Sequence, residues 1–305
     1  MKFRAQRAQI ALLLTPGLAI FALFTVYPII RLFWMSLCDM SFASMLEQPF
    51  AGLANYREVF RDPTFWTVFV NSLVYTAVTV PGQMALGLFI AILLSGIKRF
   101  SVTFRVINYL PVVTSWVIAS LVFRYIFNTE GLLNYFLWKV LGVTSGNIRW
   151  LDTRWSGLAV AMILGIWKGI GWNMVIFLAA LQQVPQDWRE ASLALGASKR
   201  ETTMKVVLPN AMPGILTGAI LALARAAGET AAIMYTGSVF FTPKDGISPF
   251  EPVMALPYHI YVLATSGTNI EATRPLQYGT ALVLLFLVLV MSSAAIVIRE
   301  RKRSR

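Results

Sequence analysis

Of 305 residues, 57% are hydrophobic and 13% charged, where a soluble domain carries about 25% charged residues; a water-soluble globule is excluded. The net charge of +12 lies in short clusters between apolar runs and at the end of the chain, which suits a membrane surface and not a nucleic-acid partner. Cys38 is the single cysteine and His259 the single histidine, which excludes an internal disulfide and a cysteine-built metal site.

Six runs are apolar enough to cross a bilayer, at about 10–30, 68–94, 106–126, 157–181, 211–235 and 278–298; a crossing needs roughly 20 such residues. They exceed ordinary core helices of about 8–20 residues and barrel strands of about 9–11. The fold class expected is all-α integral membrane with six spans. The first run contains Pro16 and Pro28 and no small-residue cleavage site follows it. It is also longer than a signal peptide's apolar stretch of roughly 7–15 residues, so it is a retained span.

After it comes the segment 31–67, with "GLANYREVFRDPTFW" inside. Asp62-Pro63 predicts a turn, and the flanking aromatics suit an interface. The second span holds Pro81, Gly82 and Gln83, the third Pro111, and the segment 127–156 follows as a moderately long loop. The fourth span carries Gly165, Lys168, Gly169, Gly171 and Asn173. Glycine and proline are common in membrane helices, so most of these residues suit close packing. Lys168 is different: a charge at the bilayer centre costs about 2.5–3.5 kcal/mol and faces a pore or a partner.

Residues 185–209 are polar and carefully punctuated. Pro185 and Asp187 offer a helix start, and Trp188, Ala191 and Leu195 share one face. Gly196 ends this first helix, and a second from about Lys199 to Val207 stops before Pro209. Small apolar residues flanked by charge are what a helix offers to a groove on a partner. The fifth span then holds Thr217, Arg225 and Glu229. Arg225 and Glu229 stand four apart and can pair on one helix face, either as a structural ion pair or facing a pore. In the last loop, 236–277, "VMALPYHIYVLAT" is too short to span and predicts a helix on or dipping into the outer membrane face.

With the N-terminus inside, the inner segments hold fifteen of the basic residues and the outer segments eight. The positive-inside rule then places both termini in the cytoplasm. The tail after Ile298 becomes an anchor to membrane lipid, and residues 1–305 form a single membrane domain of the plasma (inner) membrane.

The segment 185–209 resembles the signature of permease subunits of binding-protein-dependent ABC importers: Glu-Ala-Ala, three residues, Gly, nine residues, Ile, one residue, Leu-Pro. Here it stands as Glu190-Ala191-Ser192, Gly196, Val206 and Leu208-Pro209, with Ser192 for alanine and Val206 for isoleucine. The resemblance implies that this loop is a coupling helix seated on a cytosolic ABC ATPase dimer. It further implies a second permease chain, sister or identical, and an extracytoplasmic solute-binding protein. The chain has no phosphate loop of the Gly-x-x-x-x-Gly-Lys-Ser/Thr form. It is therefore expected to be no enzyme and to hold no cofactor, with ATP bound by the partner.

The substrate signals diverge. Residues 52–73 and 105–137 resemble sugar and glycerol-3-phosphate permeases, whereas 213–230 and 252–265 resemble inorganic-phosphate permeases. The resemblance gives a carbohydrate or sugar-phosphate as one substrate and phosphate as the alternative, and in the phosphate permeases it implies a role for Arg225 and Glu229 in phosphate passage; the candidates for the translocation path are Lys168 and Asn173 on the fourth span and Thr217, Arg225 and Glu229 on the fifth. An arginine can meet phosphate oxygens with a fork of donors. A transporter independent of any ATPase, or a membrane scaffold, is the reading from another class; unchanged uptake in Glu190→Lys would count against the ATPase-coupled readings.

Overall fold

The computed structural model describes residues 2–39, 48–97, 99–236, 253–265 and 270–303. Among them every regular element is a helix, apart from one antiparallel bridge between Cys38 and Phe50. It divides into two units, Met1–Trp66 with Ile260–Leu285, and Thr67–His259 with Phe286–Arg305.

In the first unit, α1 (Lys2–Phe21) continues through a π-helical turn, Ala22–Val26, into α2 (Tyr27–Ser36). The apolar run therefore extends past its expected end at residue 30. A short α3 (Ala54–Arg61) is tied back by Asn55, whose Nδ2 donates to the carbonyls of Ser36 at 2.8 Å and Cys38 at 2.9 Å. The expected turn forms at Asp62, whose Oδ1 accepts from Thr64 N at 2.8 Å.

The long α4 (Pro63–Ser95) runs on into the second unit and passes Pro81 unbroken. The third span is not the single helix expected over 106–126. It is cut into α5 (Ser101–Val113) and α6 (Trp116–Ile126), which meet at 91°. The cut falls just beyond Pro111, whose ring and missing N–H already weaken that turn. A small α7 (Leu132–Tyr135) follows in the loop.

The fourth span, α8 (Arg154–Gln182), keeps its helix through all of its glycines. Met174, Phe177, Leu178 and Leu181 on α8 are buried against Ala91 and Leu94 of α4, and against Ala211 and Ile215 farther along the chain. At Gly171 a side chain would strike the Asn108 carbonyl and come within 3.1 Å of Tyr109 Cα, so glycine is what lets α5 lie against α8.

Beyond α9 (Gln186–Ala194) the chain turns at Gly196, at φ +86°, and enters α10 (Lys199–Glu201). Contrary to expectation, the helix does not stop before Pro209. A π-helical stretch, Thr202–Val207, carries it into α11 (Leu208–Ala227). Pro209 therefore lies inside a continuous helix, at the junction of the π-helical stretch with α11, where its missing N–H leaves one intrahelical bond unmade.

The fifth span is also not one helix over 211–235: it breaks at Gly228–Thr230 and resumes as α12 (Ala231–Thr236). Helices α5 and α11 pack on α8, while α6 packs with α12. The loop helix is present as α13 (Leu256–Thr265). The segment leading to it is held inside the second unit. Asn71 Nδ2 donates to Met254 O at 2.7 Å, Leu256 N donates to Ser72 Oγ at 2.8 Å, and Val253 and Ala255 pack beside Tyr75, Leu158 and Ile233. The sixth span is α14 (Ile270–Arg303), longer at both ends than expected. Among the described residues five helices are long and apolar enough to cross a membrane, or six if the bent pair α5–α6 is one span.

Candidate functional site: a polar cavity and an exposed loop

At the level of the two breaks, α4, α6, α8 and α11 enclose a polar cavity. Tyr75, Thr79 and Gln83 line it from α4, Trp116 from the start of α6, and Lys168, Trp172 and Asn173 from α8. Arg225 closes α11, and Glu229 stands in the break after it. The structure thus brings together four of the five expected path residues. Thr217 lies elsewhere: its Oγ1 donates to Pro213 O at 2.9 Å, and it lines a separate space of about 570 Å³ with Gln183 and Arg299.

The expected Arg225–Glu229 pair does not form. The helix ends between the two residues, so the i,i+4 geometry is lost. Glu229 Oε1 instead accepts from Ala232 N at 3.4 Å, at the start of α12. The Arg225 guanidinium lies over the Trp172 ring at 5.7 Å and has no carboxylate within 4 Å among the described residues. Asn173 is buried; its Nδ2 donates to Gly169 O at 2.9 Å, and its Oδ1 finds no partner. Lys168, 3% exposed, donates to Pro111 O at 2.9 Å, Thr114 O at 2.6 Å and Thr114 Oγ1 at 3.3 Å.

Sequence reasoning had not placed Trp116, Trp172 and Tyr75 here, since an aromatic in a span has no mark that separates wall from packing. Gln83 was visible as a mid-span amide. The cavity measures about 20 Å³, room for about one water. A larger molecule does not fit the cavity as it stands.

The loop 185–209 is largely exposed. Arg189 Nη2 donates to Leu181 O at 2.6 Å and so fastens α9 to the end of α8. Glu190 is exposed and accepts from Gln186 Nε2 at 3.2 Å, Ala191 is exposed, and Ser192 Oγ meets Thr202 Oγ1 at 3.0 Å. Ser198 and Glu201 form a capping box that starts the second helix. Val206 and Leu208 are half-buried and Pro209 is exposed. Trp188, 49% exposed, and Leu195, 89% exposed, remain uncovered, which is costly in water unless a partner covers them.

Residues 83–303 match the family model described as binding-protein-dependent transport system inner membrane component. The chain is 29% identical over 289 residues to a sulfoquinovosyl glycerol transport system permease protein of Agrobacterium fabrum, covering 94% of this chain and 88% of the relative. It is 26% identical over 293 residues to an sn-glycerol-3-phosphate transport system permease protein of Pectobacterium atrosepticum, covering 95% and 93%. Among solved structures, a bacterial ABC transporter involved in the import of the acidic polysaccharide alginate superposes with a TM-score of 0.77 at 17% identity, over 98% of both chains; this shows the fold. The two long alignments take in most of the last third of the chain. The likeness of that third to inorganic-phosphate permeases gains no support from them.

Proposed function

This chain belongs to the family of binding-protein-dependent transport system inner membrane components, and from that premise we propose that it forms the path of an ATP-driven importer for a carbohydrate or sugar-phosphate. The observation that carries the substrate reading is the cavity itself. Indole and phenol faces from Trp116, Trp172 and Tyr75 suit the apolar faces of a sugar ring, and amides from Gln83 and Asn173 suit its hydroxyls. Arg225, without a carboxylate partner, adds a site for a phosphate or another acidic group. The two relatives that align along most of the chain carry names of a sulfonated sugar glycerol and a glycerol phosphate.

In this reading residues 1–305 are one transmembrane domain with both termini in the cytoplasm. Glu190, Ala191, Ser192, Gly196, Val206, Leu208 and Pro209 form the surface on which a cytosolic ATPase dimer closes. Closure moves α9, and through Arg189 the inner end of α8. The helices part, and an extracytoplasmic binding protein releases solute into the opened cavity. Asn173, Arg225 and Glu229 meet the solute, Lys168 belongs to the wall, and Thr217 borders an inner part of the route. A second permease chain completes the path.

Gentle co-purification of the tagged chain from its native membrane tests the reading. We expect an ABC ATPase, a second permease chain and a binding protein whose ligand is a sugar or sugar-phosphate. Recovery of an inorganic-phosphate-binding protein would overturn the substrate, and absence of an ATPase would overturn the importer.

A further inference from the structure

We propose that Lys168 is a positioning residue of the path: its ammonium caps the cut end of α5 and fixes the bend into α6, and it does not bind solute. A helix that ends inside a membrane leaves its last carbonyls without N–H partners and without water to replace them. At this cut Thr114 N returns to Leu110 O at 3.3 Å, and Thr114 Oγ1 donates to Pro111 O at 2.7 Å. The Thr114 carbonyl and the second lone pair of the Pro111 carbonyl are supplied by Lys168.

A cation is also the charge that the negative end of a helix favours. The same ammonium lies over the ring of Trp116 at 4.6 Å. Trp116 is the first residue of α6, so a single side chain grips both sides of the break. Its base is firm, because α8 is unbroken and buried at this level. An ammonium has three donors. With three oxygen acceptors and a ring face already in contact, none is directed at the cavity. The bend in turn places Trp116 in the cavity wall.

The test measures the bend directly. Spin labels at Val102→Cys on α5 and Val122→Cys on α6 occupy exposed positions, while Cys38 is buried and is left in place. At 1.5 Å per residue the pair stands about 20 Å apart across a right-angle bend and about 30 Å apart along a straight helix. We expect a narrow short distance in the native chain and in Lys168→Arg, and a longer or broadened one in Lys168→Met. If Lys168→Met does not insert, Lys168→Gln is read instead and must broaden the distribution. A native-like distribution in the neutral variant that inserts overturns the proposal.

Uptake adds a second reading, which rests on the importer function proposed above. Lys168→Met should lower the maximal rate about tenfold, the size of one lost charge-assisted hydrogen bond, with little change in the half-saturating solute concentration. A raised half-saturating concentration with an unchanged distance makes Lys168 a solute ligand and overturns the assignment. Absence of uptake in the native chain itself counts against the importer function and leaves the distance result standing.

Discussion

Two polar residues, one buried and one exposed in the isolated chain, show how polar chemistry serves different ends. Asn134, 1% exposed, has every amide position in use. Its Nδ2 donates to the carbonyls of Asn128, Thr129 and Ile148, and its Oδ1 accepts from Ile148 N and Trp150 Nε1. This amide ties α7 to the far strand of its loop. Asn134→Ala should loosen that loop by about 2–4 kcal/mol, because buried donors and acceptors are left unpaired. Faster proteolysis between residues 141 and 152, with span assembly intact, is the expected result; native resistance would show that the loop is held elsewhere. Arg225 is the opposite case, a cation over a ring with no carboxylate within 4 Å among the described residues. Arg225→Ala should reduce uptake of a phosphorylated sugar roughly tenfold to a hundredfold, the worth of a charge-assisted pair, and spare a neutral sugar. Equal loss for both solutes would assign Arg225 to structure.

At the scale of elements, the coupling loop depends on one backbone angle. Gly196 stands at φ +86° with nothing within 4 Å of where a side chain would begin, so a substitution there meets strain and no clash. Gly196→Ala should cost about 1–2 kcal/mol and tilt α9 against the helix that follows. We expect normal insertion, with fewer solutes imported per ATP hydrolysed; an unchanged ratio would separate the turn from coupling. This turn was legible in the sequence, as were Pro185, Asp187 and the six apolar runs, because caps, glycines and span length act locally. The breaks in the third and fifth spans were not. Pro111 signalled weakness, yet Pro81 and Pro213 lie in helices that continue. What decides the outcome at Thr114 is a lysine 54 residues away in sequence, and no local pattern carries that. The Arg225–Glu229 pair failed for the same reason: i,i+4 spacing has meaning only where the helix persists.

For the molecule as a whole, the question is what covers the face that bears Arg225. Arg225 is exposed in the isolated chain, and on the same helix Leu221 is 47% exposed. An arginine turned toward lipid at mid-membrane costs about 2.5–3.5 kcal/mol on insertion scales, and more on an isolated helix. A chain with this face bare in a bilayer is therefore disfavoured, while a second permease chain set against it converts the cost into a shared aqueous path. The prediction is that a fluorophore at Leu221→Cys is quenched by a lipid-phase quencher when the chain is inserted alone. Within the complete transporter it should be shielded from that quencher and open to a water-soluble one. Quenching from the lipid in both states would place this face outward. Arg225 would then be a residue reaching for the interface, and the path would have to be sought on another side of α8.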